Sequence, residues 1–102
     1  VSTPHLLTAL VEEALSVGSM VRLLSFEGGR VRLAEVTLSD TSPARGKEIM
    51  EVGFPRDSTV VAILRQDKVV VPRGDTVFYV GDEVVVLVSG DSEDEVRSLL
   101  VG

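Results

Sequence analysis

A chain of 102 residues with 44% hydrophobic and 25% charged residues is long enough for one small globular domain and too apolar to be disordered. The formal net charge of −6 disfavours nucleic acid as a partner, and the absence of cysteine excludes disulfides and thiolate metal sites. No apolar run approaches the ~20 residues of a membrane span, so we expect no direct membrane insertion.

The first predicted element is an amphipathic helix over Pro4–Val17. Thr3 supplies an N-cap, Pro4 occupies the helical position that proline favours, and Gly18 is expected to end the helix. Apolar residues recur at helical spacing along one side of it, at Leu6, Leu7, Leu10, Ala14 and Val17.

A strand, a turn and a second strand are predicted next, over Val21–Phe26, Glu27–Gly29 and Arg30–Leu38. The second strand changes phase, because its apolar residues lie first on one face and then on the other, at Val31 and Leu33 and then at Val36 and Leu38. A bulge near Ala34 or Glu35 would resolve this pattern, and so would burial of both faces.

The second half of the chain predicts a short helix, a hairpin, a strand and a last helix. Ser42 and Pro43 repeat the pattern of a cap followed by proline, and Gln66-Asp67 reads as a two-residue hairpin turn. The elements are expected over Ala44–Val52, Val60–Arg65, Lys68–Val71, Glu83–Ser89 and, capped by Asp91, a helix through Val101.

These elements predict an α+β fold, in which a small antiparallel-rich sheet packs with two or three helices. The helices should lie near Pro4–Val17, Arg45–Val52 and Asp91–Leu100. The core should contain Ile49, Val61, Ile63, Val70, Val84, Val86, Leu99 and Leu100.

The sequence carries no recognisable catalytic or metal-binding pattern, so we predict that it is not an enzyme. His5 is the one histidine and has neither cysteine nor a second histidine to share a metal. The glycines form neither a dinucleotide nor a P-loop fingerprint. The acidic run around Glu93–Glu95 fits the N-terminus of a helix better than a calcium loop. Cations such as Arg65 and Arg73 either have local acidic partners or converge on an anionic ligand.

Four short elements occur in a fixed order: Ser42–Ile49, Phe54-Pro55 followed by Val60–Arg65, Val69–Pro72, and Val80–Val86. Their order and spacing resemble the C-terminal regulator of K+ conductance domain of the Trk/Ktr type, over roughly Arg30 to Val101. The resemblance implies an RCK_C-like regulatory domain at 30–102. Residues 1–29 would form a connector helix and strand, either the tail of a missing N-terminal nucleotide-binding domain or part of this domain. Because the chain starts at Val1 rather than Met, we expect a fragment of a longer protein.

The resemblance implies a regulatory, ligand-sensing and dimerisation domain of a potassium or other cation uptake or channel system. Such a domain would be cytoplasmic and peripheral to the membrane through a transporter or channel partner. NAD(H) or an adenine nucleotide would bind only in the missing upstream domain, and this fragment would hold no cofactor of its own. A purely structural oligomerisation module without a ligand stays open as the alternative.

Some relatives of this type bind cyclic di-AMP where Gly53–Val61 and Val70–Pro72 fall here. The resemblance therefore implies a ligand site at Phe54, Arg56, Thr59, Val60, Val71 and Pro72. Those relatives carry a basic residue soon after the short helix and an amide at the start of the next strand. Arg56 supplies the cation after a register shift, but no amide is present beside Thr59. This argues against cyclic di-AMP and leaves another nucleotide effector open.

Two runs of consecutive apolar residues occur in the predicted strands, at Val60–Leu64 and Val84–Val88. Such runs need to be buried on both faces of the sheet. The predicted helices can cover about one face. A second copy of the chain would supply the rest, so we expect a homodimer. The alternative is that Val21–Phe26 and the helix at Pro4–Val17 provide this cover within one chain.

Overall fold

The computed structural model describes residues 19–101, and the predicted helix at Pro4–Val17 lies outside them. The described part forms five strands, β1 to β5, over Met20–Phe26, Val31–Thr37, Ser58–Arg65, Lys68–Val70 and Glu83–Ser89. It also forms two α-helices, α1 over Ile49–Val52 and α2 over Glu93–Leu100. A 3-10 turn at Glu27–Gly29 joins β1 to β2.

The strands form one sheet in the order β1-β2-β5-β3-β4, and every neighbouring pair is antiparallel. This confirms the predicted α+β fold. The last strand of the chain, β5, lies in the centre, where it pairs with both β2 and β3. The strands β1 and β4 are the two edges.

One face of the sheet forms the core. Alternate residues of β5, at Val84, Val86 and Val88, are almost completely buried, as period-2 side-chain geometry requires. Helix α2 packs on this face through Val96 and Leu100. The other buried members of this cluster are Ala34, Val36, Leu38, Ala44, Val60, Ile63 and Phe78.

The predicted core is largely confirmed, with one error. Four of its members are completely buried: Ile63, Val84, Val86 and Leu100. Ile49 and Val70 are half-buried and pack against the core, and Leu99 is half-buried on α2. Val61, in contrast, is 48% exposed.

A bulge in β3 explains why Val61 is not in the core. The pairing with β5 shifts register between Val60, opposite Val86, and Ala62, opposite Val85. Val61 is the extra residue, and it leaves the alternation that would otherwise decide its face. Val60 and Ile63 consequently both face the core.

Of the two explanations for the change of phase, a bulge near Ala34 or Glu35 is wrong, because β2 pairs with β5 without any shift. The irregularity lies in the neighbouring strand, between Arg22 and Leu24 of β1. Leu33 and other residues opposite the core face of β2 are half-buried. Partial burial of both faces therefore accounts for the change of phase.

The ends of two predicted helices differ in the structure. Helix α1 begins at Ile49 rather than Ala44, because Gly46 has a φ of 77° that no α-helix accommodates. Helix α2 begins after Ser92, so Ser92 rather than Asp91 occupies the N-cap position.

The Gln66-Asp67 turn is confirmed, since Arg65 pairs directly with Lys68 across it. Gln66 and Asp67 have φ angles of 51° and 64°. Both values lie in the left-handed region, as a two-residue hairpin turn of type I′ requires. Neither residue is glycine, so the turn stores conformational strain.

Asp67→Gly should therefore raise the free energy of unfolding by about 1 kcal/mol, because glycine adopts a positive φ without steric cost. Urea denaturation followed by circular dichroism measures the change. The control is Asp75→Gly, since Asp75 is an exposed turn residue outside the left-handed region. Glycine there should be neutral or destabilising, and equal effects of the two substitutions would contradict the strain in the Gln66-Asp67 turn.

Candidate functional site

A cavity of about 190 Å³ lies between helix α1, the start of β3 and the loop that follows β4. Its lining residues come from all three of these segments: Ile49, Thr59, Val60, Pro72, Arg73 and Gly74. We refer to it as the α1 pocket. Its lining combines three aliphatic side chains with one hydroxyl and one cation.

Backbone hydrogen bonds hold the wall of the α1 pocket in place. A capping box starts α1, in which the backbone N–H of Glu48 donates to the Glu51 carboxylate at 2.8 Å. The next two N–H groups donate to the loop after β4: Ile49 to the Thr76 carbonyl at 2.9 Å, and Met50 to the Gly74 carbonyl at 3.0 Å. The first turn of the helix therefore fixes the loop that carries Arg73.

The six residues of the predicted site separate into three groups. Thr59, Val60 and Pro72 line the α1 pocket. Phe54 is half-buried and packs edge-to-face against the core residue Phe78, with ring centroids 6.2 Å apart, so it supports the core. The other two, Arg56 and Val71, are exposed and do not line the pocket.

Arg73 is the cation that lines the α1 pocket, whereas the resemblance implied Arg56 in that role. The available signal was the position of Arg73 directly after Pro72, which ends the hairpin. Its backbone N–H donates to the hydroxyl of Thr76 at 2.9 Å, which fixes the turn at this residue.

Three exposed apolar side chains lie next in the chain to residues that line the pocket. Met50, Val61 and Val71 are 65%, 48% and 66% exposed. They follow Ile49, follow Val60 and precede Pro72, respectively. We call Met50, Val61 and Val71 the apolar rim. Large exposed apolar side chains next in the chain to pocket-lining residues are candidates for an interaction surface.

A larger cavity of about 410 Å³ lies at the other end of the sheet, where the turn before β2 meets the end of β5. It is lined by Gly28, Gly29, Arg30, Arg32, Asp57, Ser89, Gly90 and Asp91. Its polar groups engage one another: the Ser89 hydroxyl donates to Asp57 at 2.6 Å and lowers the pKa of that carboxyl. Carboxylates beside its arginines also reduce its attraction for anions. The α1 pocket is therefore the better candidate for an anionic ligand.

Four arginines of the described residues have carboxylate partners: Arg22, Arg32, Arg65 and Arg97. Arg65 donates to both oxygens of Asp82, from Nε at 2.9 Å and from Nη2 at 2.8 Å. Arg32 contacts Glu93 at 2.7 Å. These contacts give both arginines a structural role, although their carboxylate partners are distant in the sequence.

Glu93, the first residue of α2, fastens this helix to the sheet. Its carboxylate accepts hydrogen bonds from Arg22 of β1 at 2.9 and 3.2 Å and from Arg32 of β2. The hydrogen bond from Arg22 is the main cause of the lowered pKa of Glu93, and it outweighs the opposing effect of burial.

The described residues contain no group of three or more histidine, aspartate or glutamate side chains that could hold a metal ion. None of the helices in residues 19–101 is long and apolar enough to cross a membrane.

Glu93→Gln should lower the free energy of unfolding by about 2 kcal/mol at pH 7, because it weakens charge-assisted hydrogen bonds to a buried group. The folded-state pKa of Glu93 lies below its unfolded value. Its stabilisation is therefore complete above the unfolded pKa and is lost as the pH falls through the folded pKa. The variant should thus lose less stability than the wild type on acidification.

Urea denaturation at a series of pH values tests this, with Asp94→Asn as the control. The Asp94 side chain is 92% exposed and pairs only with Arg97 of its own helix among the described residues, so its loss should cost less than about 0.5 kcal/mol. A Glu93→Gln protein with the same acid sensitivity as the wild type would contradict the assignment.

Comparison with known proteins identifies the family of this chain. The model of the TrkA-C domain matches residues 33–101, which is more than half of the chain. The Trk system potassium uptake protein TrkA of Mycobacterium tuberculosis is 41% identical over 101 residues. That alignment covers 99% of this chain and 46% of the relative, so the chain spans about half the length of that protein.

Solved structures share the fold. An RCK domain determined with cda has a TM-score of 0.56 at 28% identity, over 67% of this chain and 96% of that one. The crystal structure of the GsuK RCK domain has a TM-score of 0.71 at 18% identity, over 85% of this chain and 19% of that one. With the family match over most of the sheet and both described helices, the chain belongs to the TrkA-C domain family.

Proposed function

We propose that this domain senses an anionic ligand, of the nucleotide class, for a regulator of potassium uptake and that it acts as a homodimer. The observation that carries the proposal is a pocket lined by one cation, Arg73, whose lining residues are followed or preceded in the chain by the exposed apolar rim. The potassium system is favoured by 41% identity to TrkA over nearly the whole chain.

The chemistry of the α1 pocket supports a nucleotide-like ligand. Arg73 offers a charged fork for a phosphate group. Thr59 offers a hydroxyl, and Ile49, Val60 and Pro72 offer apolar surface for a base. Since a related RCK domain was solved with cda, cda is one compound to test. The missing amide beside Thr59 still argues against cyclic di-AMP.

Dimerisation would complete the site. At about 190 Å³ the α1 pocket is smaller than the ~300 Å³ at which small-molecule pockets begin. A second copy packed on the apolar rim would enclose the pocket and bury Met50, Val61 and Val71. A ligand held between two copies could then change how they sit relative to each other.

Similarity to TrkA proteins supports a proposal for where the domain acts and with which partners. The domain would be cytoplasmic and would reach a membrane transporter or channel through the rest of the protein. NAD(H) or an adenine nucleotide would bind in an upstream domain. We expect no catalysis here, because no described acid, base and nucleophile meet in the α1 pocket.

A thermal-shift screen of nucleotides and divalent ions on the 102-residue chain tests ligand sensing. A ligand at 100 times its Kd should stabilise the domain by about 2.7 kcal/mol. Arg73→Ala should abolish this shift, because it removes the phosphate-binding cation, while Arg30→Ala should preserve it. Arg30 is the matched control because it lines the larger cavity instead.

If Arg30→Ala abolished the thermal shift and Arg73→Ala did not, the ligand would bind in the larger cavity. That result would overturn the assignment of the ligand to the α1 pocket. A screen without any hit, on a chain that still dimerises, would favour the purely structural oligomerisation module.

Val71→Asp should convert the dimer into a folded monomer. Val71 is 66% exposed in the single chain, so the substitution leaves the core intact. A two-fold interface would receive the added charge twice, and like charges in an interface cost several kcal/mol, so Kd should rise at least about 100-fold.

Sedimentation velocity measures the dimer, and circular dichroism confirms the fold. The control is Val80→Asp, the same change at a valine that is 54% exposed in the turn before β5. A wild-type chain that is monomeric at high micromolar concentration, or a Val71→Asp dimer of unchanged strength, would refute the rim as the interface.

A further inference from the structure

The strand β4 forms an edge of the sheet, and its exposed side chains are apolar. Val69 and Val71 are 67% and 66% exposed, the two largest values among the large apolar residues that the structure describes. Val71 precedes proline, and this position favours extended backbone. Val70, between the two, packs against the core. Val69 and Val71 therefore lie on the face of the sheet opposite the core, which we call the outer face.

The register of the β3-β4 hairpin shows which backbone groups of β4 are free. Arg65 and Lys68 flank the two-residue turn, so they exchange hydrogen bonds with each other. Bonded and non-bonded pairs alternate along antiparallel strands, so Val70 bonds to Ile63, whereas Val69 does not bond to its partner. The N–H and C=O groups of Val69 thus point away from β3, where no other strand of residues 19–101 lies.

Val71 continues this pattern on the free side of β4. It lies two positions beyond Val69, so in extended backbone its N–H and C=O groups also point outward. Pro72 lacks an N–H, but at its position that group would point inward, toward β3. Lysine and proline commonly prevent edge strands from pairing at random. Here Lys68 and Pro72 stand at the two ends of the edge, so they limit its length without removing the outward groups between them.

We propose that β4 pairs antiparallel with β4 of a second copy, with Val70 opposite Val70 of that copy, so that the two sheets become continuous. This inference specifies the interface of the homodimer proposed above and rests on that dimer. The arrangement is self-complementary, as a two-fold interface requires. Val69 of each copy is opposite Val71 of the other, and each such pair exchanges two hydrogen bonds.

Two other symmetric registers exist, and each uses fewer of the free backbone groups. With Val69 opposite itself, Val71 would face Asp67, whose left-handed backbone is part of the turn. With Val71 opposite itself, Val69 would face Arg73, whose N–H is already bonded within its own turn. Only the register centred on Val70 pairs both valines of each copy, and it gathers four valine side chains on the outer face.

The same register brings a second cation to the α1 pocket. Lys68 of one copy is opposite Pro72 of the other, and both lie on the core side of the sheet, as Val70 does. Helix α1 packs on that side, and Pro72 and Arg73 line its pocket. Directly opposite residues have Cβ atoms about 5 Å apart, so the long side chain of lysine extends to the mouth of the pocket. An anionic group would then lie between Arg73 of one copy and Lys68 of the other.

This arrangement couples ligand binding to dimerisation. Neither copy alone holds both cations, so a polyvalent anion binds the paired state more tightly than the single chain. By linkage, the anion must strengthen the dimer by the same factor.

Single cysteines test the pairing, because the chain has no cysteine of its own. In the proposed register the two copies of Val70→Cys have Cα atoms about 4.5 Å apart, which suits a disulfide. Oxidation of the 102-residue chain should therefore yield a covalent dimer on a non-reducing gel. Val69→Cys and Val71→Cys are matched controls, since each would lie about 8 Å from its own copy, too far to link.

Val69→Pro provides a second measurement, directed at the backbone. Proline there removes an N–H that faces outward, which an edge strand tolerates, so circular dichroism should show an intact fold. The dimer Kd from sedimentation velocity should rise about tenfold or more, because hydrogen bonds are lost on both sides of the two-fold axis. Val69→Ala is the control: it shortens the same side chain but keeps the N–H, and it should raise Kd less.

Inorganic pyrophosphate tests the shared cation site, since it offers phosphate groups without a base. At constant ionic strength it should lower the dimer Kd of the wild type about threefold or more. Lys68→Gln should abolish this effect and still dimerise. Lys47→Gln should keep the effect, because Lys47 is an exposed lysine that does not line the α1 pocket.

Different results contradict the different parts. If the wild type dimerises but Val70→Cys does not link and Val69→Pro has no more effect than Val69→Ala, β4 is not the interface. Linking by Val69→Cys or Val71→Cys instead would assign one of the other registers. A linked Val70→Cys dimer, with no pyrophosphate effect or with an equal effect in Lys68→Gln, would exclude Lys68 from the site. A monomeric wild type would refute the homodimer of the proposed function itself.

Discussion

The ion pair between Arg65 and Asp82 is the constraint on which the rest of the described structure depends. Asp82 is 1% exposed and accepts two hydrogen bonds from Arg65 and a third from the backbone N–H of Tyr79 at 3.0 Å. Arg65 donates in addition to the Val77 carbonyl and lies over the ring of Tyr79, 4.7 Å from its centroid. Removing the charge of Arg65 would leave the buried carboxylate of Asp82 without its charged partner, which is among the costliest changes in a fold.

The position of this pair explains how the α1 pocket is built. Arg65 ends β3, and Asp82 precedes β5, so their contact fixes the segment 77–82 against the sheet. That segment places Phe78 in the core, where its backbone exchanges hydrogen bonds with the stretch before α1: Gly46 donates to it at 2.8 Å, and it donates to Lys47 at 3.0 Å. The pocket thus lies on a scaffold whose parts come from distant points in the chain.

Whether a structural feature could be predicted from the sequence depended on how far apart in the chain its interacting residues lie. The hairpin at Gln66-Asp67 and the strands could be predicted, because turn residues and apolar periodicity act over a few positions. The pairing of Glu93 with two arginines could not, since it joins residues 61 and 71 positions apart. For the site, Thr59, Val60 and Pro72 could be predicted from a resemblance, whereas Arg73 required the fold of the loop after β4.

Because of the bulge at Val61, the residues of one apolar run lie in different environments. In a regular strand a core-facing Val60 would put Ile63 on the outer face, because side chains alternate at every position. The extra residue resets the alternation, so Ile63 is completely buried, while Val61 is 48% exposed and Ala62 pairs with Val85 on the face of the sheet opposite the core. A single irregularity therefore keeps Ile63 in the core and leaves Val61 at the surface.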